Sequence, residues 1–160
     1  QDGMAAKRTR HGQVATHWRP PAPPPPRAPC RLTALQAATA EAWEKVANGF
    51  DAWNFSEALA DLWRLVAAAN RYVDATQPFK LANDPEQAGR VDTILYNLAE
   101  SLRHIALLLA PAAPTTADRI MAQIGGAAVV AGAWETGREW GGLVAEGPVP
   151  GGDPLFPRIE

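Results

Sequence analysis

Cysteine is nearly absent: Cys30 is the only one in 160 residues. A lone thiol excludes an intrachain disulfide and any multi-cysteine zinc or iron–sulfur site, and it fits a reducing compartment. Long apolar runs are missing as well. The longest candidate, Ile105 to Ala113, is about half of the roughly 18 residues a membrane helix needs, and it contains a proline. No basic–apolar–small-residue pattern opens the chain. Net charge is small, −2 at neutral pH. Histidine is scarce, and only His104 lies outside the first 31 residues.

What is present divides sharply near Leu32. Residues 1–31 carry six basic residues and one acidic residue, and the remainder carries 9 basic and 16 acidic, so a leader of +5 meets a body of −7. Seven of the 15 prolines fall in 1–31, and residues 19–30 read RPPAPPPPRAPC. Proline lacks an amide donor and fixes φ, which predicts extended polyproline II or coil. Arginine beside a proline run is also the pattern of an SH3-type ligand; the plainer reading is a linker or solvated tail. His11 and His17 lack metal-ligand spacing, and Trp18 stands isolated.

The body is rich in alanine and leucine, and at 47% hydrophobic the chain can fill a core. Leu32, Leu35, Ala38, Ala42, Trp43 and Val46 predict a helix over 32–48, with Asn48-Gly49 as its stop. Asn54 and Glu57 form a candidate capping box for a second helix, whose inward stripe is Leu59, Leu62, Trp63, Val66, Asn70 and Val73. Pro78 ends it, and Phe79-Lys80-Leu81 makes a turn. A third helix opens at Asp84-Pro85-Glu86-Gln87, presents Val91, Ile94, Leu95, Leu98, Leu102, Ile105 and Leu109, and stops at Pro111. A fourth covers Thr115 to Ile124, with Ile120, Met121 and Ile124 inward, and ends at Gly125-Gly126. Beyond it the pattern predicts a short helix near Val129–Trp134, then an extended tail anchored by Leu155 and Phe156. The expected fold is all-α: an antiparallel bundle of four main helices, residues 32–160, with the C-terminal tail packed back on it.

Catalytic patterns are missing: there is no phosphate loop, dinucleotide fingerprint or zinc-protease helix. His104 reads as a packed or surface residue, Cys30 as an unactivated thiol, and the carboxylates as solvated helix faces. Asn70, placed on the apolar stripe, reads as a buried amide clamping two helices, with ligand contact as the other use. Trp134 and Trp140 lie in glycine-rich sequence, either as tail anchors or as stacking platforms for a base. The ending Leu155-Phe156-Pro157-Arg158-Ile159-Glu160 is too patterned for a frayed terminus.

The order of NRYVD (70–74), the proline–aromatic–Lys-Leu step at 78–81, the Asp84-Pro85 helix start, LLLAP (107–111), WGGL (140–143) and LFPRIE (155–160) resembles the C-terminal anticodon-binding domain of the methionyl-tRNA synthetase family. The resemblance implies a cytoplasmic class I ligase that joins methionine to its tRNA with ATP, this bundle reading the anticodon. It implies that a tryptophan near the tail stacks on an anticodon base. Trp140 matches best and Trp134 is the alternative, with Asn70, Arg71, Arg138 and Arg158 as nearby polar or cationic contacts. Phe79 stands where the family usually has tryptophan.

The departures are equally specific. The family's asparagine–leucine–x–x–arginine helix should precede Leu32, yet residues 1–31 contain no asparagine. The His-Ile-Gly-His and Lys-Met-Ser-Lys-Ser signatures are absent, as are the cysteines of a zinc knob. The chain alone is therefore not expected to activate methionine. ATP and zinc would belong to a catalytic part outside it, and that part and the methionine tRNA are the expected partners; no membrane or DNA is expected. Residues 1–31 read as a stretch where family sequence was replaced, of a composition that a shifted frame of GC-rich DNA encodes. The competing functional reading is a helical protein–protein module with a proline-rich arm.

Overall fold

The computed structural model describes residues 31–127, 129, 133–143 and 154–155. The proline-rich leader with Trp18 and Cys30, and the tail residues Phe156 and Arg158, lie outside the described residues. Helices run α1 Arg31–Asp51, α2 Phe55–Thr76, α3 Pro78–Leu81, α4 Ala88–Leu109, α5 Pro114–Gln123 and α6 Ala133–Thr136. A single 3-10 turn, Pro85–Gln87, leads into α4. Among the described residues there is no strand. Four of these helices are long, and they build the expected all-α bundle.

α1 buries Leu35, Thr39, Ala42, Trp43 and Val46, a stripe at three- and four-residue steps. It runs three residues past the expected stop at Asn48-Gly49. Gly49 is there for packing: a Cβ added to it would come within 2.8 Å of the Ala58 Cβ on α2. The helix closes instead with Asn54 N–H donating to the Gly49 carbonyl (2.8 Å) and Trp53 N–H to that of Phe50 (3.0 Å). That closure puts Trp53 in the left-handed region, φ 58, a position usually held by glycine. α5 ends the same way around Gly125, φ 74, as its glycine pair led one to expect.

α2 differs from expectation on both polar points. Its buried face is Ala58, Asp61, Leu62, Leu65, Ala69 and Tyr72. Trp63 and Asn70, expected inward, are exposed, because the stripe through them sits on one flank of the true core face. The interhelical amide clamp exists, but Asn97 makes it, donating from Nδ2 to the Tyr72 hydroxyl at 3.2 Å. Asn54 does not cap α2; its Nδ2 donates to Glu57 Oε2 at 2.6 Å. At the start of α4 Asp84 caps as expected, accepting from the Glu86 N–H at 3.0 Å.

α4 is the axis of the fold. α1, α2, α5 and the C-terminal arm all pack on it. Ala106, Ala117 and Met121 form a second small core between α4 and α5. From Ser101 to Leu108 every residue except Leu102 is buried. The single apolar face expected for this helix is therefore incomplete: Leu95 and Leu102 are exposed, while Glu100, Arg103 and His104 are inside. The expected short helix at Val129–Trp134 lies at Ala133–Thr136, part of the expected span falling outside the described residues. The tail does return to the bundle at Leu155, whose carbonyl accepts from Arg119 Nη1 at 2.9 Å.

Candidate functional site

Helical geometry puts residues three and four apart on one face, and Glu100, Arg103 and His104 use that spacing inside the protein. Glu100 is completely buried. Its carboxylate accepts from Arg103 Nη2 at 2.7 Å and from Nε at 3.1 Å to each oxygen. It also accepts three consecutive backbone N–H groups of the arm. Gly141 (2.7 Å) and Gly142 (3.0 Å) donate to Oε1, and Leu143 (2.9 Å) to Oε2. Successive amides curled this way form a natural anion cradle. Gly141 adopts φ +99, and a Cβ on Gly142 would lie 2.9 Å from the Arg103 guanidinium carbon. The WGGL motif therefore needs both glycines.

Arg103 holds the same arm by its carbonyls: Nη1 donates to Gly137 O at 2.9 Å and Nη2 to Glu139 O at 2.7 Å. His104 joins from the core side. Trp43 Nε1 donates to His104 Nδ1 at 2.9 Å; an indole can only donate, so the ring proton of the neutral imidazole sits on Nε2, 3.4 Å from Glu100 Oε1. Burial pushes the Glu100 carboxyl up, but hydrogen bonds from His104, Arg103 and the Gly141 amide outweigh it and hold the group well below the usual carboxylate range. The ion pair is thus saturated by protein groups and serves to fix the arm, not to react.

The arm carries the two tryptophans. Trp140 is half-buried and stacks on His104, ring centroids 5.5 Å apart at 18°. Trp134, also half-buried, meets Trp43 edge-on at 5.1 Å and Phe50 at 6.2 Å. Arg138 is exposed with its Nη2 3.8 Å from Glu44 Oε1. Asn70 and Arg71 stand exposed on α2, away from the arm. Arg71 borders an open groove of about 300 Å³ between α1 and α2, shared with Lys45, Arg64, Glu41 and Asp61. Phe79, one turn beyond α2, is 61% exposed beside the exposed Lys80.

Sequence reasoning treated carboxylates as solvated and so missed Glu100. The available signal was the Glu-x-x-Arg-His spacing inside an otherwise apolar stretch. Such a charged group on a core helix requires a partner elsewhere, and here WGGL supplies it. Among the described residues no three His, Cys, Asp or Glu side chains converge as a metal-ligand set, and no helix is long and apolar enough to cross a membrane.

Comparison with known proteins places this architecture. The family model described as the anticodon-binding domain of tRNA ligase matches residues 34–144. The methionine–tRNA ligase of Caldanaerobacter subterraneus is 43% identical over 118 residues, 73% of this chain and 18% of that protein. That of Bacillus subtilis is 37% identical over 129 residues, 81% of this chain and 19% of that protein. The crystal structure of apo Mycobacterium tuberculosis methionyl-tRNA synthetase superposes with a TM-score of 0.68 at 27% identity, covering 86% of this chain and 28% of that one. The chain spans less than a fifth of the length of the curated relatives it matches. With four long helices around a buried Glu100–Arg103 pair and a matching family model over most of its length, the chain belongs to the anticodon-binding domain family of tRNA ligases.

Proposed function

We propose that this domain binds the anticodon loop of the methionine tRNA as the recognition part of a cytoplasmic methionine–tRNA ligase. The observation that carries the reading is the family match across the folded body, with methionine–tRNA ligases as its relatives. An unpaired loop is captured by stacking its bases on rings and reading their edges. Two rings are candidates. Phe79 offers an open face next to Lys80, with Asn70 and Arg71 on the preceding helix. Trp140 already has one face on His104 and can offer a base only the other.

Charge limits the affinity. RNA binding draws on cationic contacts, and residues 32–160 carry −7. Binding by this chain is therefore weak, with Arg71, Arg138 and Arg158 as its cations. Residues fit for ATP or zinc are not among those described, so methionine activation belongs to polypeptide outside this domain. A filter-binding titration with the methionine tRNA and an anticodon-substituted copy tests the reading. Preference for the native anticodon is expected; equal affinity for both overturns it.

A further inference from the structure

Apart from Phe79, the exposed large apolar residues of the bundle fall on two helices and one turn. Trp53 is 81% exposed, Trp63 68%, Leu95 51% and Leu102 40%, with Phe55 half out of the surface beside them. On α2 the stripe through Phe55, Leu59, Trp63 and Val66 lies on the flank away from α1. The charged residues of α2 between Glu57 and Asp74 (Asp61, Arg64, Arg71) all border the groove against α1 instead. On α4, Leu95 and Leu102 lie on the flank away from the arm, which contacts Glu100 and Arg103. The two helices pack on each other, and in an antiparallel pair these flanks open onto one groove. The result is an apolar strip about the width of one helix, free of charge along its length.

Trp53 adds an independent observation. It holds a left-handed conformation, φ 58, where glycine would be unstrained, and its indole meets only Phe55 edge-on, at 5.9 Å, among the aromatic rings. A strained, exposed tryptophan at the end of an apolar strip is the composition of an interface anchor.

We propose that this α2–α4 strip seats an amphipathic helix from the part of a methionine–tRNA ligase polypeptide that lies outside this domain. The occupant is argued from length and chemistry. In the curated relatives the matching segment is only 18–19% of the protein, so the domain there is joined to a much larger body. An uncharged groove between two helices selects an apolar helix face over nucleic acid or an acidic peptide. The proposal rests on the family membership, and it is independent of where tRNA binds.

The experiment titrates the full chain with overlapping 25-residue peptides spanning the unmatched part of the Caldanaerobacter subterraneus ligase, reads binding by tryptophan fluorescence and maps it by hydroxyl-radical footprinting. At least one peptide of helical apolar pattern is expected to bind and protect Trp63 and Leu102. The double variant Trp63→Ser, Leu102→Ser, both sites exposed, is expected to weaken it at least about tenfold, while tRNA affinity, measured in parallel, stays unchanged. Absence of any binding peptide against a folded chain overturns the proposal. So does concentration-dependent dimerisation, by sedimentation, that the double variant abolishes, because the strip then pairs with a second copy. Loss of tRNA preference with peptide binding intact rejects the anticodon reading and leaves this proposal standing.

Discussion

Glu100 and Arg103, one turn apart on α4, divide the C-terminal arm between them: the carboxylate takes the amides of Gly141, Gly142 and Leu143, and the guanidinium takes the carbonyls of Gly137 and Glu139. A buried ion pair that hydrogen-bonds a backbone segment in both polarities is a clasp. Its loss releases the arm and leaves a charge inside.

Glu100→Ala strands the Arg103 guanidinium without its partner. Removing one member of a buried pair costs about 3–5 kcal/mol. Urea unfolding of this variant is expected to show a correspondingly lower midpoint. A midpoint within error of the parent would mean that the clasp contributes nothing.

Glu100 also sets an acid limit. Its carboxyl is held below the usual range when folded and titrates near 4.3 when unfolded. A depressed folded value means that the stability is fully present above that unfolded value and is lost as pH falls beneath it. The expected slope approaches about 1.4 kcal/mol per pH unit below pH 4. Glu41, also lowered by its hydrogen bond to Lys45, is exposed. Unfolding curves at pH 7, 5, 4 and 3 should show that slope in the parent and its reduction in Glu100→Gln.

Two glycines are fixed by close approach. Gly142→Ala would press a methyl against Arg103, and Gly49→Ala would drive α1 off Ala58. Overpacking of this kind costs about 1–3 kcal/mol. Gly89, with open space around its added Cβ, is the control: Gly89→Ala in α4 should match or exceed parental stability in the same melts.

Phe79→Ala and Trp140→Ala separate stacking from packing. The Phe79 ring is exposed, so its loss should leave the melting temperature near that of the parent and weaken tRNA binding, a stacked base being worth about 1–3 kcal/mol. Trp140→Ala removes the ring over His104 and should lower the melting temperature. Unchanged tRNA affinity in both variants would eliminate both rings as base platforms.

The helices were legible from particular residues. Asp84-Pro85 marked the start of α4, Pro78 the end of α2 and Gly125-Gly126 the end of α5, because caps and breakers act through a few neighbouring bonds. The direction each helix faces was less legible. Trp63 and Asn70 fitted an inward stripe by spacing alone, yet Leu65 and Tyr72 occupy the core. Periodicity finds an apolar arc, and the arc on α2 is wider than the face its neighbours cover. The apolar surplus is the strip that Trp63 shares with Leu95 and Leu102.

The amino-acid sequence by itself determined an all-α chain with one cysteine, a proline-rich leader and a body whose motifs mark its family. Each of these is written in local composition or in short spacings. Only the tertiary structure decided that Glu100 is internal, that WGGL is its cradle and that Trp140 rests on His104. The carboxylate and the amides that solvate it stand some forty residues apart, and their affinity is expressed only when α4 and the arm are brought together and water is excluded from between them.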